Sequence, residues 1–308
     1  MAVRRKNSSL LRNLGRKLVV ILGPTAAGKS QLAVKLAKDF QGEIVSADSR
    51  QIYKGLDIGT GKIRPEEMEG IPHHLLDIVS PKEQFDVVQY QEKAYQAIEA
   101  ILQRNHLPFL VGGSPFYLEA VIKGWQFLPA KADPALREKL SSRPLEKLLK
   151  VLAGLDPLYF QKVEKTNKRR IIRAIEIASQ LGNIPPRKNH PRFQTLVLGL
   201  RIPFPQLKEQ IAQRQEELFR QGMIKETAKL HQQGLSWERL EEFGLEYQWV
   251  SYYLQGKETE EEMKKKLQRA VEKFAKRQLT WFKKNPNIHW VQQVSQGQNL
   301  IQQFLKTS

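Results

Sequence analysis

The stretch Gly23-Pro24-Thr25-Ala26-Ala27-Gly28-Lys29-Ser30 decides the fold. It follows an apolar run, Leu18 to Leu22, and opens a helix-like segment from Gln31 to Phe40. Strand, glycine-bearing loop and helix in that order are the context of a phosphate-binding loop, and the spacing G-x-x-x-x-G-K-[ST] is complete. Glycines let backbone N–H groups converge on an anion at a helix N-terminus. Lys29 adds a mobile positive charge, and the Ser30 hydroxyl is suited to ligate Mg²⁺ held between phosphates. The eight residues are candidate ligands of a diphosphate or polyphosphate, with Ser30 the candidate metal ligand. The loop specifies an anion and leaves its chemistry open.

A chain of 308 residues can bury a full core in one large domain or two. No stretch reaches the length needed to cross a membrane. The absence of cysteine excludes disulfides, thiolate zinc sites and a cysteine nucleophile, and it fits a reducing compartment such as the cytoplasm. A formal net charge of +18 and a pI near 9.9 mark a protein that attracts polyanions, nucleic acid first among them. Residues 1–16 are basic and polar without a signal-peptide core, and they read as an N-terminal arm.

Beyond the loop and its helix, Glu43 to Asp48 reads as a strand ending in an acidic residue. Ligands gather at the carboxyl ends of strands in an open α/β sheet, which sets Asp48 beside the phosphate loop. Residues 49–62 form a long, glycine-rich, polar loop of the kind that carries function. Pro72 to Ile78 reads as another strand; for His73 and His74 a structural role is favoured, since no third metal ligand has useful spacing. Asp86 and Gln89 make a capping-box pattern for a helix running to about Arg104. Pro108 to Val111 reads as a buried strand ending in Gly112-Gly113-Ser114, where a tight turn and a ligand-facing hydroxyl are both open.

From Trp125 the texture changes, with Pro129, Pro134, Pro144 and Pro157 punctuating short helical pieces. In the helix pattern of Lys168 to Ile177, Arg169, Arg170 and Arg173 share one arc, with Ile171 and Ile175 opposite. The arginine side faces an anionic partner or solvent. Gln194 to Leu200 returns to strand character, Gln206 to Gln221 is helical, and a long helix starts near Thr259 with Glu262 completing a capping box. Its expected inner stripe is Met263, Leu267, Val271, Phe274 and Gln278. The segment Ala275 to Lys284 interleaves bases and aromatics, a composition that suits RNA contact or a plain basic helix end.

The phosphate loop, Ser46-Ala47-Asp48-Ser49-Arg50-Gln51 continuing to Lys62, Pro72 to Asp77, Val111 to Ser114, Arg170 to Glu176 and Ala275 to Trp281 together resemble the tRNA dimethylallyltransferases. The resemblance covers roughly residues 17 to 290, and an ordinary P-loop kinase would share only the first motif. It implies an α/β fold, a P-loop NTPase-like parallel sheet flanked by helices, with a mainly helical insertion domain. The expected division is an arm at 1–16, core at 17–124, tRNA-contacting insertion at 125–192 and core again at 193–308. The implied activity transfers a dimethylallyl group from dimethylallyl diphosphate to N6 of an adenosine beside the tRNA anticodon, with Mg²⁺ as cofactor.

By the same resemblance Asp48 is the catalytic carboxylate and Ser114 the hydroxyl near the reacting centre, where the family usually has threonine. Positions matching tRNA contacts are Asp48, Ser49, Arg50, Gln51, Ser114, Arg137, Arg169, Arg170, Ile171, Ile172 and Arg173. Partners are then the tRNA anticodon loop and the prenyl donor, with no membrane; family membership favours a cytoplasmic monomer. The chain departs from the family at Phe243 to Gln248 and at Val271-Glu272, where arginines are missing. Absence of a cysteine-dependent zinc finger points to the bacterial type. A P-loop kinase of a nucleoside or small metabolite and a non-catalytic tRNA-binding module are the competing readings.

Overall fold

Strand β1 (Lys17–Leu22) shows why a parallel sheet forms: all six of its residues are buried. Successive side chains point to opposite faces, so a strand covered on both sides needs an unbroken apolar run. Leu18, Val20 and Leu22 enter one core with Tyr90, Ile98 and Tyr247; Val19 and Ile21 enter another with Leu36 and Phe40. The structure, a computed structural model, describes residues 14–307. Most of the basic arm expected at 1–16 therefore lies outside the described residues.

Five further strands, β2 (Gly42–Ser46), β3 (His73–His74), β4 (Leu107–Gly112), β5 (Gln194–Leu200) and β6 (Ile288–Val291), pair in parallel in the order β3-β2-β4-β1-β5-β6. Leu22 pairs with Gly112 on one side and Gly199 on the other, and Ser46 pairs with Val111. The carboxyl ends of four strands are thus level, which makes one shared edge. Helix α1 (Lys29–Asp39) and the C-terminal helix α13 (Val294–Lys306) contribute to one core. Helices α2 (Val87–Gln103) and α3 (Pro115–Lys123) contribute to the other. The capping box at α2 forms: Asp86 Oδ1 accepts from Val88 N and Gln89 N, and Gln89 Oε1 accepts from Asp86 N.

The strand expected over Pro72 to Ile78 is shorter. Only His73 and His74 pair with β2, because Leu75 and Asp77 take left-handed φ of 64° and 55° and break the pleat. After β5, helices α8 (Phe204–Gln221), α9 (Met223–Gln232), α10 (Trp237–Glu242), α11 (Leu245–Leu254) and α12 (Glu260–Phe282) complete this unit. The stripe expected along α12 is corrected at one position. Ala275 is fully buried while Phe274 is 38% exposed. The buried row runs 263, 267, 271, 275 and 278, in three i+4 steps and a final i+3 step, and puts a small residue against Leu207 and Ile211 of α8.

Residues Trp125–His190 form a second unit by themselves. It holds α4 (Pro134–Ser141), α5 (Leu145–Leu155), α6 (Pro157–Lys162) and α7 (Lys168–Leu181) around Leu140, Leu148, Leu152, Ile171 and Ile175.

At the amino end of β2 the carboxylate of buried Glu43 takes two bonds from Arg104, at 3.0 and 2.7 Å. It also bonds His74 at 2.6 Å and His106 at 2.7 Å, so His74 serves structure. Burial pushes this carboxyl up, but the hydrogen bonds from Arg104, His74 and His106 prevail and hold it at about 2. A depressed carboxyl stabilises above its unfolded value near 4.5 and loses that contribution as pH falls toward 2. Glu43→Gln is expected to lower the unfolding free energy by about 1–3 kcal/mol at neutral pH. In urea titrations at a series of pH values, the gap should shrink steadily below pH 4.5. A pH-independent gap would contradict the assignment.

Candidate active site at the carboxyl edge of the sheet

The phosphate loop leaves β1 and turns by alternating hand. Ala26 and Gly28 have φ of 61° and 79°, with Ala27 between them outside the left-handed region. Such alternation aims successive N–H groups to one side, which is the geometry of an anion nest. Gly28 caps α1 without any side-chain acceptor, so the helix's first N–H groups face the loop rather than a cap. Lys29 Nζ spans the loop to Pro24 O at 2.7 Å. Burial first, then the charge of Arg214, push the Lys29 ammonium down to about 8, with Asp48 pulling the other way.

Asp48 lies just past β2 on the same edge. Its Oδ1 accepts from Arg50 N at 2.9 Å and Gln51 N at 3.4 Å, an Asx turn that fixes the carboxyl and starts the loop. Its Oδ2 makes no hydrogen bond among the described residues. Ser114 caps α3, and its Oγ accepts from Ser49 N at 3.1 Å. The two strand ends touch through Ala47 N to Val111 O at 2.7 Å. A Cβ on Gly112 would stand 2.1 Å from Ala47 O, so only glycine permits the approach. Structure therefore brings together the phosphate loop, Asp48, Ser49 and Ser114, as their placement at strand ends suggests.

Sequence reasoning missed four residues here. Arg214, on α8, donates Nη1 to Thr25 Oγ1 at 2.8 Å and Nη2 to Thr60 O at 3.1 Å. Gln278, buried on α12, accepts from Thr25 N at 2.9 Å and donates to Gly113 O at 2.7 Å. Glu226, on α9, accepts from the backbone N–H of Asp57, Ile58 and Gly59 at 3.1, 2.7 and 3.0 Å, and from Tyr247 Oη at 2.7 Å. This latch orders the loop, whose Thr60 and Gly61 carbonyls then meet the Gln51 amide at 3.4 and 3.2 Å. Glu246 enters in the first turn of α11; burial pushes its carboxyl up, opposed by the charge of Arg214, with Asp48 adding to the rise. For Gln278 the helical stripe was a usable signal; for Arg214, Glu226 and Glu246 no local pattern existed.

Among the described residues there is no cluster of three or more His, Cys, Asp or Glu able to hold a metal. Ser30 stands exposed in the first turn of α1.

In the helical unit the arginines divide. Arg137 binds buried Glu176 through two bonds at 2.8 and 2.9 Å, and Arg173 reaches Glu176 at 3.3 Å and Ala130 O at 2.8 Å. Burial opposes ionisation of Glu176, yet the bonds from Arg137 and the Asp133 N–H hold its carboxyl below the usual range. Arg170 pairs with Glu164. Arg169 is exposed with no ion pair or hydrogen bond from its side chain among the described residues. Ile171 and Ile172 are both buried in this unit's core, so their side chains pack there.

The sequence model of the IPP transferase family matches residues 51–285. A tRNA dimethylallyltransferase 1 of Syntrophus aciditrophicus is 46% identical over 274 residues, which is 87% of this chain and 90% of that protein. A tRNA dimethylallyltransferase 2 of Shewanella sediminis is 43% identical over 280 residues, 89% and 93% of the two chains. Among solved structures, a tRNA isopentenylpyrophosphate transferase from Bacillus halodurans aligns with a TM-score of 0.74 at 36% identity, covering 95% of this chain and 97% of its own. A eukaryotic dimethylallyltransferase acting on tRNA aligns at 0.75 with 26% identity, covering 94% and 77%. The chain belongs to the IPP transferase family, the tRNA dimethylallyltransferases and isopentenyltransferases.

Proposed function

We propose that this protein transfers a dimethylallyl group from dimethylallyl diphosphate to N6 of an adenosine beside the anticodon of tRNA. The observation that carries the reading is the convergence of an anion nest, two cations and one carboxylate on a single sheet edge: the loop 23–30, Lys29, Arg214 and Asp48.

The donor's diphosphate takes the loop N–H groups, Lys29 and Arg214, which stabilise charge that grows as the allylic C–O bond breaks. Mg²⁺ fits this donor set, because it is commonly held by one protein hydroxyl together with phosphate oxygens and water. Ser30 would be that hydroxyl, and the ion would supply positive charge at the leaving group. The adenine amine attacks the allylic carbon, diphosphate departs, and the proton lost from nitrogen goes to Asp48. An exocyclic amine is a weak nucleophile, so a carboxylate with one oxygen fixed and the other uncommitted both orients it and accepts that proton. Ser114 holds Ser49 N and thereby the first residue of the tRNA-facing loop. Ser49, Arg50 and Gln51, together with Arg169 of the helical unit, are proposed RNA contacts. Arg137, Arg170 and Arg173 would meet RNA only through donors left over from Glu176 and Glu164.

Mass spectrometry of tRNA nucleosides after incubation with protein and labelled donor tests the activity; transfer of γ-phosphate from ATP without prenylation would overturn it. Asp48→Ala is expected to keep tRNA binding while single-turnover transfer falls by a factor on the order of 10² or more. Equal losses in binding and rate would reject the proton-accepting role. Because the bound anion requires a charged Lys29, donor KM should rise as pH climbs through about 8, and Lys29→Arg should flatten that rise.

A further inference from the structure

Glu226 carries four hydrogen bonds beside the reaction edge and takes no part in the proposed chemistry. Its Oε2 accepts from Asp57 N at 3.1 Å and Ile58 N at 2.7 Å. Its Oε1 accepts from Gly59 N at 3.0 Å and Tyr247 Oη at 2.7 Å. An ionised carboxylate offers about four lone-pair sites, so this one is fully committed. No ion pair holds Glu226 among the described residues; three backbone dipoles and one phenol balance its charge. Such a group is neither a free base nor a free ligand, and what it does is hold the turn 57–59. A Cβ on Gly59 would stand 2.6 Å from the Tyr247 ring, so the turn lies directly on α11.

The residue after that turn joins two sites. Thr60 O accepts from Gln51 Nε2 at 3.4 Å and from Arg214 Nη2 at 3.1 Å. Gln51 also donates to Gly61 O at 3.2 Å, and Arg214 to Thr25 Oγ1 of the phosphate loop at 2.8 Å. One backbone carbonyl thus aligns a side chain of the loop that begins at Asp48 and a side chain beside the phosphate loop. Internal bonds tie the turn into one piece. Gly61 N donates to Ile58 O at 2.8 Å, Lys62 N to Asp57 O at 3.0 Å and Thr60 Oγ1 to Leu56 O at 2.7 Å. A displacement at 57–59 therefore carries the Thr60 carbonyl with it.

We propose that Glu226 is a positioning residue for both substrates: by fixing the turn 57–59 it sets the Thr60 carbonyl, and through it Gln51 for RNA and Arg214 for diphosphate. A misplacement of about 1 Å that originates far from the chemistry can cost a factor on the order of 10². The inference rests on the prenyl-transfer reading for the assignment of the two sides, but its test does not require turnover.

The test is two equilibrium affinities of the full chain, with prenyl transfer and thermal unfolding followed separately. A fluorescein-labelled anticodon stem–loop RNA is titrated by anisotropy, and inorganic pyrophosphate with Mg²⁺ by calorimetry. Glu226→Gln keeps one oxygen and turns an NH₂ group toward backbone N–H groups, so both affinities should fall by about tenfold. Tyr247→Phe leaves the three backbone bonds in place and should change each affinity by less than about twofold. The decisive readout is the double-mutant cycle. In a Gln51→Ala background the RNA loss from Glu226→Gln should shrink to within about twofold, and in an Arg214→Ala background so should the pyrophosphate loss. A merely structural role would give losses that add in both cycles, and that result, or a loss for only one ligand, would overturn the proposal. Glu226→Asp, a carboxylate one methylene short, should show the same pattern with smaller losses and decides the matter if the glutamine variant does not fold. If the unaltered protein binds both ligands yet transfers no prenyl group, the activity reading fails while the two cycles still decide the positioning role. Failure to bind either ligand would overturn both.

Discussion

One buried carboxamide holds the reaction edge together. Gln278 accepts from the N–H of Thr25 in the phosphate loop and donates to the carbonyl of Gly113 in the turn after β4. Both its polar ends are satisfied, so burial costs little; an apolar replacement would strand one donor and one acceptor, each at about 1–3 kcal/mol. Thr25 is held again through its hydroxyl by Arg214, which also grips Thr60 of the long loop. Three segments far apart in sequence, around residues 25, 60 and 113, thus share a framework set by α8 and α12. A shift of either helix would move donor and acceptor sites together.

That framework needs the strands to end level. Register among β2, β4 and β1 brings Ser46, Val111 and Leu22 to one edge, and the loop after each strand inherits that position. Gly112 then lets the turn after β4 lie against Ala47, which leaves Ser114 in reach of Ser49. Asp48 requires no long-range partner for its orientation, because its own Asx turn supplies it. The most local of interactions fixes the Asp48 carboxylate, and the least local ones fix what surrounds it.

The same distinction explains what was legible in the sequence. The spacing from Gly23 to Ser30, the apolar runs of the strands and the capping boxes at Asp86 and Thr259 are short-range signals, and each forms as read. The strand expected to Ile78 stops at His74 because Leu75 and Asp77 adopt left-handed backbone, stabilised by Lys62 reaching Asp77 from the preceding loop. Periodicity placed Phe274 inward by hydrophobicity alone; packing against α8 selected the smaller Ala275. Arg214, Glu226 and Glu246 were invisible because charged residues on amphipathic helices usually face solvent, and nothing within a few positions reveals a partner more than 150 residues away. Motif matching also grouped Ile171 and Ile172 with their arginine neighbours, although helical geometry turns them into the core.

Two arginines expected from the family pattern are absent near Phe243 to Gln248 and at Glu272, yet the loop is not short of positive charge. Glu272 instead pairs with Lys208 at 3.3 Å, neutralising that part of α12. At the loop itself Arg214 and Lys29 crowd each other in a site where burial already disfavours an ammonium ion, and Lys29 is pulled down to about 8 as a result. Burial meanwhile raises the nearby carboxyl of Glu246. An anion entering between Lys29 and Arg214 converts their mutual repulsion into attraction toward a common charge, so the strain of the free site becomes part of the binding energy. A leaving diphosphate gains negative charge as its bond to carbon breaks, and the benefit is greatest at that moment. In the proposed reaction this is how a loop better known for nucleoside triphosphates would serve carbon transfer: by stabilising the group that departs.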